Sequence, residues 1–385
     1  MTALRLGIPD TQFFADPRGS QGAIAERLVD EGFVGLRVDL PARVEVGQRA
    51  SLPLVVARGV SLRGSPGPAF RDHAVLVATR LPSNQTFVGE AFVRKRSDDS
   101  PRRPNPDAPE GVSVAVKDTD VRARLPELPW RPGEVVAWVL YRDQASNGAR
   151  ATLAAGPGDP TREPAVARYL ADQDVGYPQP VWPPALPGEP YPRWTRGDDH
   201  PALPAGPGVA LSVDRTVKVP LVGKARCVLR ASVRVPFRRR YLVRPDPGVA
   251  AEPLPDLARS RDELSAQDER ALREAVARVE QRRAMGLVWQ DAGDPAATAV
   301  VPLTVVAVRA DEAGSVVFPL QLPIHTPIDP ARPPEALEAH VAVDLLELPF
   351  GLRLTGGTSF LYAFTDGLMA GPAQTAVVRE RDLRP

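Results

Sequence analysis

Four histidines are the side chains of this sequence best suited to metal binding or acid–base chemistry. They are His73, His200, His325 and His340, and no two of them lie within five residues of each other. A local pair such as that of H-E-x-x-H is therefore absent. A histidine site could form only if the fold brought distant segments together.

The densest cluster of possible ligands is Asp198-Asp199-His200. Carboxylates beside an imidazole can bind a metal ion or tune a base. The cluster also suits a solvated turn, because it ends a long proline-rich stretch. We therefore predict no metal site and no cofactor, and we keep Asp199 and His200 as weak candidate ligands.

Cys227 is the only cysteine, so a disulfide within one chain and a four-cysteine zinc site are excluded. It lies in the apolar sequence ARCVLRASV, which predicts a buried thiol. A nucleophilic cysteine would need a neighbouring base that the sequence does not show.

The common nucleotide-binding and hydrolase motifs are absent. The chain has no G-x-x-x-x-G-K-[ST] and no G-x-S-x-G. Its glycine–proline stretches, GSPGPAF and AGPGDP, lack the strand-then-helix setting in which backbone amides bind phosphate. These observations favour a protein that is not an enzyme.

Two basic clusters, at residues 94–103 and 234–244, could attract an anionic partner. The second contains Phe237 and Tyr241, whose rings could stack on bases. However, the net charge is +1, which gives no general attraction to nucleic acid or to an anionic membrane. We expect solvated loops or an acidic protein partner, with no nucleic acid, and keep both rings as candidate binding residues.

Residues 156–208 differ in kind from the rest of the chain. They contain thirteen prolines and little alternation of apolar and polar residues, which predicts a stiff, extended linker. Aromatic side chains are unusual in a spacer and often anchor protein interfaces. We therefore predict that the linker contacts a partner through aromatic residues, with Tyr177, Trp182, Tyr191 and Trp194 as the candidates.

Length and composition indicate which elements position these residues. A chain of 385 residues suggests two or three domains. Its 44 prolines remove backbone donors and disfavour a mainly helical protein. With 43% apolar and 25% charged residues, the balance is that of a globular protein with many short strands.

The clearest strands are two similar stretches, GEVVAWVLYRD at 133–143 and GTSFLYAFTDG at 357–367. Other strand patterns precede both in matching order, starting near residues 34 and 209. This predicts an all-β protein with an internal duplication. Within the first copy, Pro53 places its strand at an edge or a bulge, and VEVGQ is predicted to be a turn.

Two helices are predicted outside this pattern. The first follows an N-terminal arm within residues 1–33, with Ser20 as its N-cap and Gly32 after its end. The second lies in an insertion at 255–286. Leu272, Val276 and Val279 form its narrow apolar face, which is typical of a helix lying on a surface.

The aromatic strand, with a turn before it and a final strand after it, resembles the penultimate strand of immunoglobulin-like sandwiches. The resemblance implies two tandem sandwiches at 34–155 and 209–385, joined by the proline-rich linker at 156–208. It places Trp138 and Tyr362 in the sandwich cores. The paired cysteines of antibody domains are absent.

No apolar run approaches the roughly 18 residues of a membrane helix, and the N-terminus shows no secretory signal pattern. We expect a cytoplasmic protein that does not contact membranes. The favoured function is non-enzymatic binding or structure, through another protein or self-assembly. Two alternatives stay open: an enzyme or metalloenzyme accessory subunit with a site between the sandwiches, and a carbohydrate-binding sandwich.

Overall fold

The structure is a computed structural model of the chain. It describes residues 17–46, 51–61, 74–81, 85–92, 111–157, 162–167, 200–213, 227–237, 266–284, 300–310, 315–323, 332, 334–346, 354, 356–370 and 374–378. It is mostly β-sheet, which confirms the predicted all-β class. Within these ranges, no helix has both the length and the apolar character needed to cross a membrane.

The strands before residue 157 are called the N-terminal strand set, and those after residue 207 the C-terminal strand set. The N-terminal set comprises β1 (Gly35–Asp39), β2 (Arg43–Val46), β3 (Pro53–Ser61), β4 (Val75–Arg80), β5 (Gln85–Glu90), β6 (Val112–Asp120), β7 (Gly133–Tyr141), β8 (Gln144–Ala145) and β9 (Ala149–Ala155). The C-terminal set comprises β10 (Gly208–Val213), β11 (Val228–Pro236), β12 (Val300–Arg309), β13 (Ser315–Pro323), β14 (Ala336–Asp344), β15 (Gly357–Thr365), β16 (Leu368–Met369) and β17 (Gln374–Val378).

Both sets divide into a smaller and a larger sheet with matching strand orders. The smaller sheets are β1-β3-β6 and β10-β11-β14. The larger sheets are β2-β9-β7-β4-β5 and, in the C-terminal set, β17-β15-β12-β13, with the short strands β8 and β16 pairing with β7 and β15. Neighbouring strands are antiparallel except for β2 and β9, which are parallel.

Each set has its own apolar core between its two sheets. Alternate residues of each strand point into that core. On β7, Val135, Ala137 and Val139 enter the N-terminal core. On β11, Leu229 and Val233 enter the C-terminal core. The residues between them on each strand face the opposite side of the sheet.

The larger sheets of the two sets pack on each other through a third apolar cluster. Trp138 lies in this cluster, and its ring centroid is 5.1 Å from that of Phe364. Tyr362 is in the same cluster, and its hydroxyl donates to the backbone oxygen of Arg142 at 2.7 Å. The prediction that Trp138 and Tyr362 lie inside the sandwich cores was therefore wrong. Alternation shows which residues share a face but not which layer that face meets.

The first helix, α1 (Pro17–Asp30), packs on the outer face of the smaller N-terminal sheet. Ile24 and Leu28 contact apolar residues of β3 and β6 there. Gly32 has a φ of 65°, and its N–H and that of Phe33 close a Schellman motif on Val29 and Leu28, as predicted for the helix end.

The predicted start of α1 was wrong. The helix begins at Pro17, so Ser20 lies inside it and is not its N-cap. Proline is well suited to a first helical turn because the N–H it lacks would have no partner within the helix. The arm before Pro17 lies outside the described residues.

Two further helices are α2 (Val121–Arg124), whose N-cap Asp120 accepts from the Arg122 N–H, and α3 (Ala266–Ala284). The helix predicted within the insertion is thus confirmed at 266–284. Leu272 and Val276 are buried as expected, while the side chain of Val279 lies outside the described part. Arg273 pairs with Glu163 at 3.1 Å between two exposed side chains.

Two local predictions in the N-terminal set were wrong. Pro53 is the first residue of β3, which lies between β1 and β6 and is not at an edge. The first position of a strand tolerates proline even in a central strand. The stretch predicted as a turn overlaps β2, which pairs with β9 through Arg43 to Val46.

One arginine is buried inside the N-terminal set. Arg80 ends β4 and is 1% exposed, and its guanidinium donates to the backbone oxygens of Arg131 at 3.0 Å and Pro132 at 2.8 Å. Burial lowers the pKa of Arg80 to about 10. The Arg80 side chain thereby links the end of β4 to the turn before β7 through hydrogen bonds.

Candidate functional site

A polar cluster covers the outer face of the smaller C-terminal sheet. The pairing of β11 with β14 places Ser232 opposite His340 and Arg234 opposite Glu338. Their neighbours along both strands point into the core, so alternation directs these four side chains outward. We call this group, together with His200, the outer-face cluster.

The segment 200–207 lies over this face and is held by hydrogen bonds to it. The Ser232 hydroxyl donates to the Pro201 backbone oxygen at 2.5 Å. Arg234 donates to the backbone oxygens of Pro204 at 2.8 Å and Ala205 at 3.0 Å. Arg234 also pairs with Glu338 across the strands, its Nε lying 2.9 Å from the carboxylate.

His200 enters the cluster from this segment. Its ring centroid is 5.1 Å from that of His340, and the two rings are tilted by 46°. Both side chains are half-buried. Burial lowers the pKa of His340, and the neighbouring His200 lowers it further, so the neutral form of the ring is favoured.

The hydrogen bonds of Ser232 define the proton positions in this cluster. Its oxygen lies 2.8 Å from Nδ1 of His340. A carbonyl oxygen cannot donate, so the single hydroxyl proton of Ser232 lies toward Pro201. Nδ1 of His340 must then carry a proton and donate it to Ser232. The neutral ring consequently has its lone pair on Nε2.

This arrangement does not support a serine nucleophile. An activated serine donates its proton to the histidine that acts as its base, whereas Ser232 receives a proton from His340. Ser232 is also fully buried, so no substrate carbonyl can reach its oxygen. The outer-face cluster can hold a chain segment or offer imidazole nitrogens, but it is not assembled for acyl transfer.

The equivalent face of the N-terminal set has a different character. There β3 and β6 present Val55, Ala57, Val112 and Val114, and α1 covers them. A sheet of the same strand order can thus be covered by an apolar helix. The polar side chains of the outer-face cluster are therefore not a requirement of this type of sheet.

Most of the binding residues predicted from the sequence lie outside the described part of the chain, namely Tyr177, Trp182, Tyr191, Trp194 and Tyr241, as does the weak ligand candidate Asp199. Phe237 is half-buried and packs against the C-terminal core. His200 belongs to the outer-face cluster. Cys227 is fully buried, as predicted, and its N–H donates to Asp344 at 3.0 Å.

The pairing of His200 with His340 and the role of Ser232 were not predicted from the sequence. In the sequence His340 is one of four separated histidines, and Arg234 belongs to a basic stretch. The available signal was the alternation of β11 and β14, which puts Arg230, Ser232 and Arg234 on one face. No sequence pattern predicted that His200 would lie near this face, since it is 140 residues from His340.

No protein-family model matches the chain, and none of the curated proteins compared with it is similar in sequence.

Proposed function

We propose that this chain is a non-enzymatic binding protein of two tandem immunoglobulin-like sandwiches, at 34–155 and 209–385. In this proposal the proline-rich linker at 156–208 joins them, and the protein acts through another protein or by self-assembly. The sandwiches arose by internal duplication.

The strand order supports the immunoglobulin-like assignment. In such sandwiches the first, second, fourth and fifth main strands form one sheet, while the third, sixth and seventh form the other. The fourth strands here, β5 and β13, depart from this pattern, because they pair with β4 and β12. The strands β1, β3 and β6 correspond to the first sheet, and β4, β7 and β9 to the second. The same correspondence holds for β10, β11 and β14 and for β12, β15 and β17.

Matching positions support the duplication. Trp138 and Tyr362 are each the sixth residue of their strand, and both strands begin with a glycine of positive φ, Gly133 at 151° and Gly357 at 122°. Val77 pairs with Trp138 as Val306 pairs with Tyr362. Such agreement of register and backbone conformation is what two copies of one unit would retain.

The observation that carries the functional proposal is the apolar contact between the two larger sheets. A buried apolar surface fixes the relative orientation of the units that share it. The cluster contains Trp138, Tyr362 and Phe364, all at most 3% exposed. A body with two sandwiches in fixed orientation is suited to presenting surfaces to a partner.

The alternatives have less support. An enzyme site between the sandwiches would need polar groups there, whereas the observed contact between the two larger sheets includes an apolar cluster with Trp138 and Phe364. For a carbohydrate-binding sandwich, the linker rings that would stack on sugars lie outside the described residues. A glycan array tests that alternative directly.

The linker aromatics provide the test of partner binding. The full chain, a Trp182→Ala/Trp194→Ala variant and a Trp130→Ala control are used as baits in extracts of the source organism. Trp130 is a half-buried tryptophan beside Arg122 within the N-terminal set. Quantitative mass spectrometry then compares the captured proteins, and light scattering compares the oligomeric states.

We expect a stoichiometric partner, or a defined oligomer, that the linker variant loses and the Trp130→Ala control retains. Equal capture by all three baits would remove the linker from the proposal. A monomer that captures nothing would overturn the proposal itself.

A further inference from the structure

The two imidazoles of the outer-face cluster are close enough to share one metal ion. Imidazole nitrogens lie about 2 Å from a bound transition metal, so two of them on one ion are within about 4 Å of each other. The ring centroids of His200 and His340 are 5.1 Å apart. Ring nitrogens that face each other are closer together than the two centroids, so this separation is compatible with a shared ion.

Ser232 prepares His340 for this role. A metal-binding histidine almost always donates its other ring N–H to a nearby acceptor, which fixes the tautomer and the orientation of the ring. Nδ1 of His340 donates to the buried Ser232 oxygen at 2.8 Å, and Ser232 is itself anchored to Pro201. The lone pair on Nε2 is then the one available to a metal. The carboxylate of Glu338 lies on the same face, but it is paired with Arg234.

We propose that His200 and His340 together bind one divalent transition-metal ion, with Cu²⁺ preferred. Imidazole suits copper, nickel and zinc, and Cu²⁺ binds most tightly of the divalent first-row ions. The described residues contain no group of three or more histidine, cysteine or acidic side chains able to hold a metal. Water completes the coordination, which a tetragonal Cu²⁺ ion accepts.

This inference goes beyond the proposed function, because a partner-binding protein can carry a metal that fastens the segment 200–207 to the sheet. The metal would link His200 on that segment with His340 on β14. It would add a bond to the hydrogen bonds that Ser232 and Arg234 already make to the segment. A partner-binding result and a metal-binding result are therefore independent of each other.

The test uses the full chain purified without a histidine tag and stripped with a chelator. CuSO₄ is titrated in, binding is followed by calorimetry, and the bound ion is examined by electron paramagnetic resonance. We expect one Cu²⁺ per chain, with hyperfine coupling to two imidazole nitrogens. Zn²⁺ should compete for the same site with lower affinity.

Variants assign the site. His200→Gln and His340→Gln should each weaken Cu²⁺ binding by tenfold or more and remove one coupled nitrogen. Ser232→Ala should weaken it by about tenfold while keeping both nitrogens, because it removes the acceptor of the Nδ1 proton together with the hydrogen bond to Pro201. His73→Gln and His325→Gln serve as matched controls and should bind Cu²⁺ like the unmodified chain.

The proposal fails if the chain binds no Cu²⁺, or if His200→Gln and His340→Gln bind it unchanged. Circular dichroism checks that each variant is folded. Should His340→Gln not fold, His200→Gln decides the outcome, since His200 lies on a segment outside the strands.

Discussion

The contact between the two larger sheets can be measured through one aromatic pair. Trp138 is 3% exposed and Phe364 is 1% exposed, and their ring centroids are 5.1 Å apart with planes tilted by 58°. Trp138→Leu and Phe364→Leu remove the ring pair while leaving both sites apolar. These variants and the double variant form a thermodynamic cycle between residues 226 positions apart.

The expected magnitudes follow from the burial and geometry of the pair. Replacing a buried aromatic residue by alanine costs about 3–5 kcal/mol, so we expect about 2 kcal/mol for each leucine variant, which fills part of the space. An aromatic pair contributes about 1 kcal/mol beyond the area that it buries. The double variant should therefore be about 1 kcal/mol more stable than the sum of the single losses predicts.

Urea unfolding followed by circular dichroism measures these free energies. Additivity within about 0.4 kcal/mol would refute the reasoning, because that is the behaviour of residues without shared contacts. A second cycle with Trp138→Leu and Phe318→Leu is the control. Phe318 is fully buried in the C-terminal core on the other side of the larger sheet, so this pair should be additive.

Three further predictions concern single residues. Tyr362→Phe loses the hydrogen bond to Arg142 and should cost about 1 kcal/mol in urea unfolding. Burial raises the pKa of Tyr362 above its usual 10.0, so the contribution of its neutral side chain to the free energy of unfolding is complete below pH 10. That contribution declines as the pH rises toward the folded pKa, and Tyr362→Phe should flatten the decline. Arg80→Met leaves buried backbone oxygens without their donor and should cost about 2 kcal/mol, measured as a lower urea midpoint. Gly367→Ala, at φ 70° with its new Cβ 2.5 Å from a Leu81 methyl, should lower the melting temperature, whereas Gly206→Ala, with nothing within 4 Å, should not.

The two smaller sheets show how the same strand order can support different surfaces. In the N-terminal set, the outer face is apolar and α1 covers it through Ile24 and Leu28. In the C-terminal set, the outer face carries Ser232 and His340, and the segment 200–207 covers it. The strand order of a sheet therefore does not dictate the chemistry of its outer face.

The sequence alone determined the all-β class and the alternation along strands such as β1 and β11. Proline content, repeated apolar patterns and the glycine after α1 act locally, so each can be read within a few residues. The same locality explains the confirmed helix at 266–284 and the buried thiol of Cys227. The start of α1 and the short strand β2 were misjudged because several residue types are compatible with either conformation.

The tertiary structure alone decided which layers meet. Both faces of β7 are buried, so its period of two could not show that Trp138 faces the C-terminal strand set and not its own core. Nor could spacing reveal that His200 and His340 lie together, since their approach depends on how a segment outside the strands crosses β11 and β14. Contacts between residues far apart in the chain depend on the packing of whole sheets, and that packing is set by many weak interactions that no local pattern records.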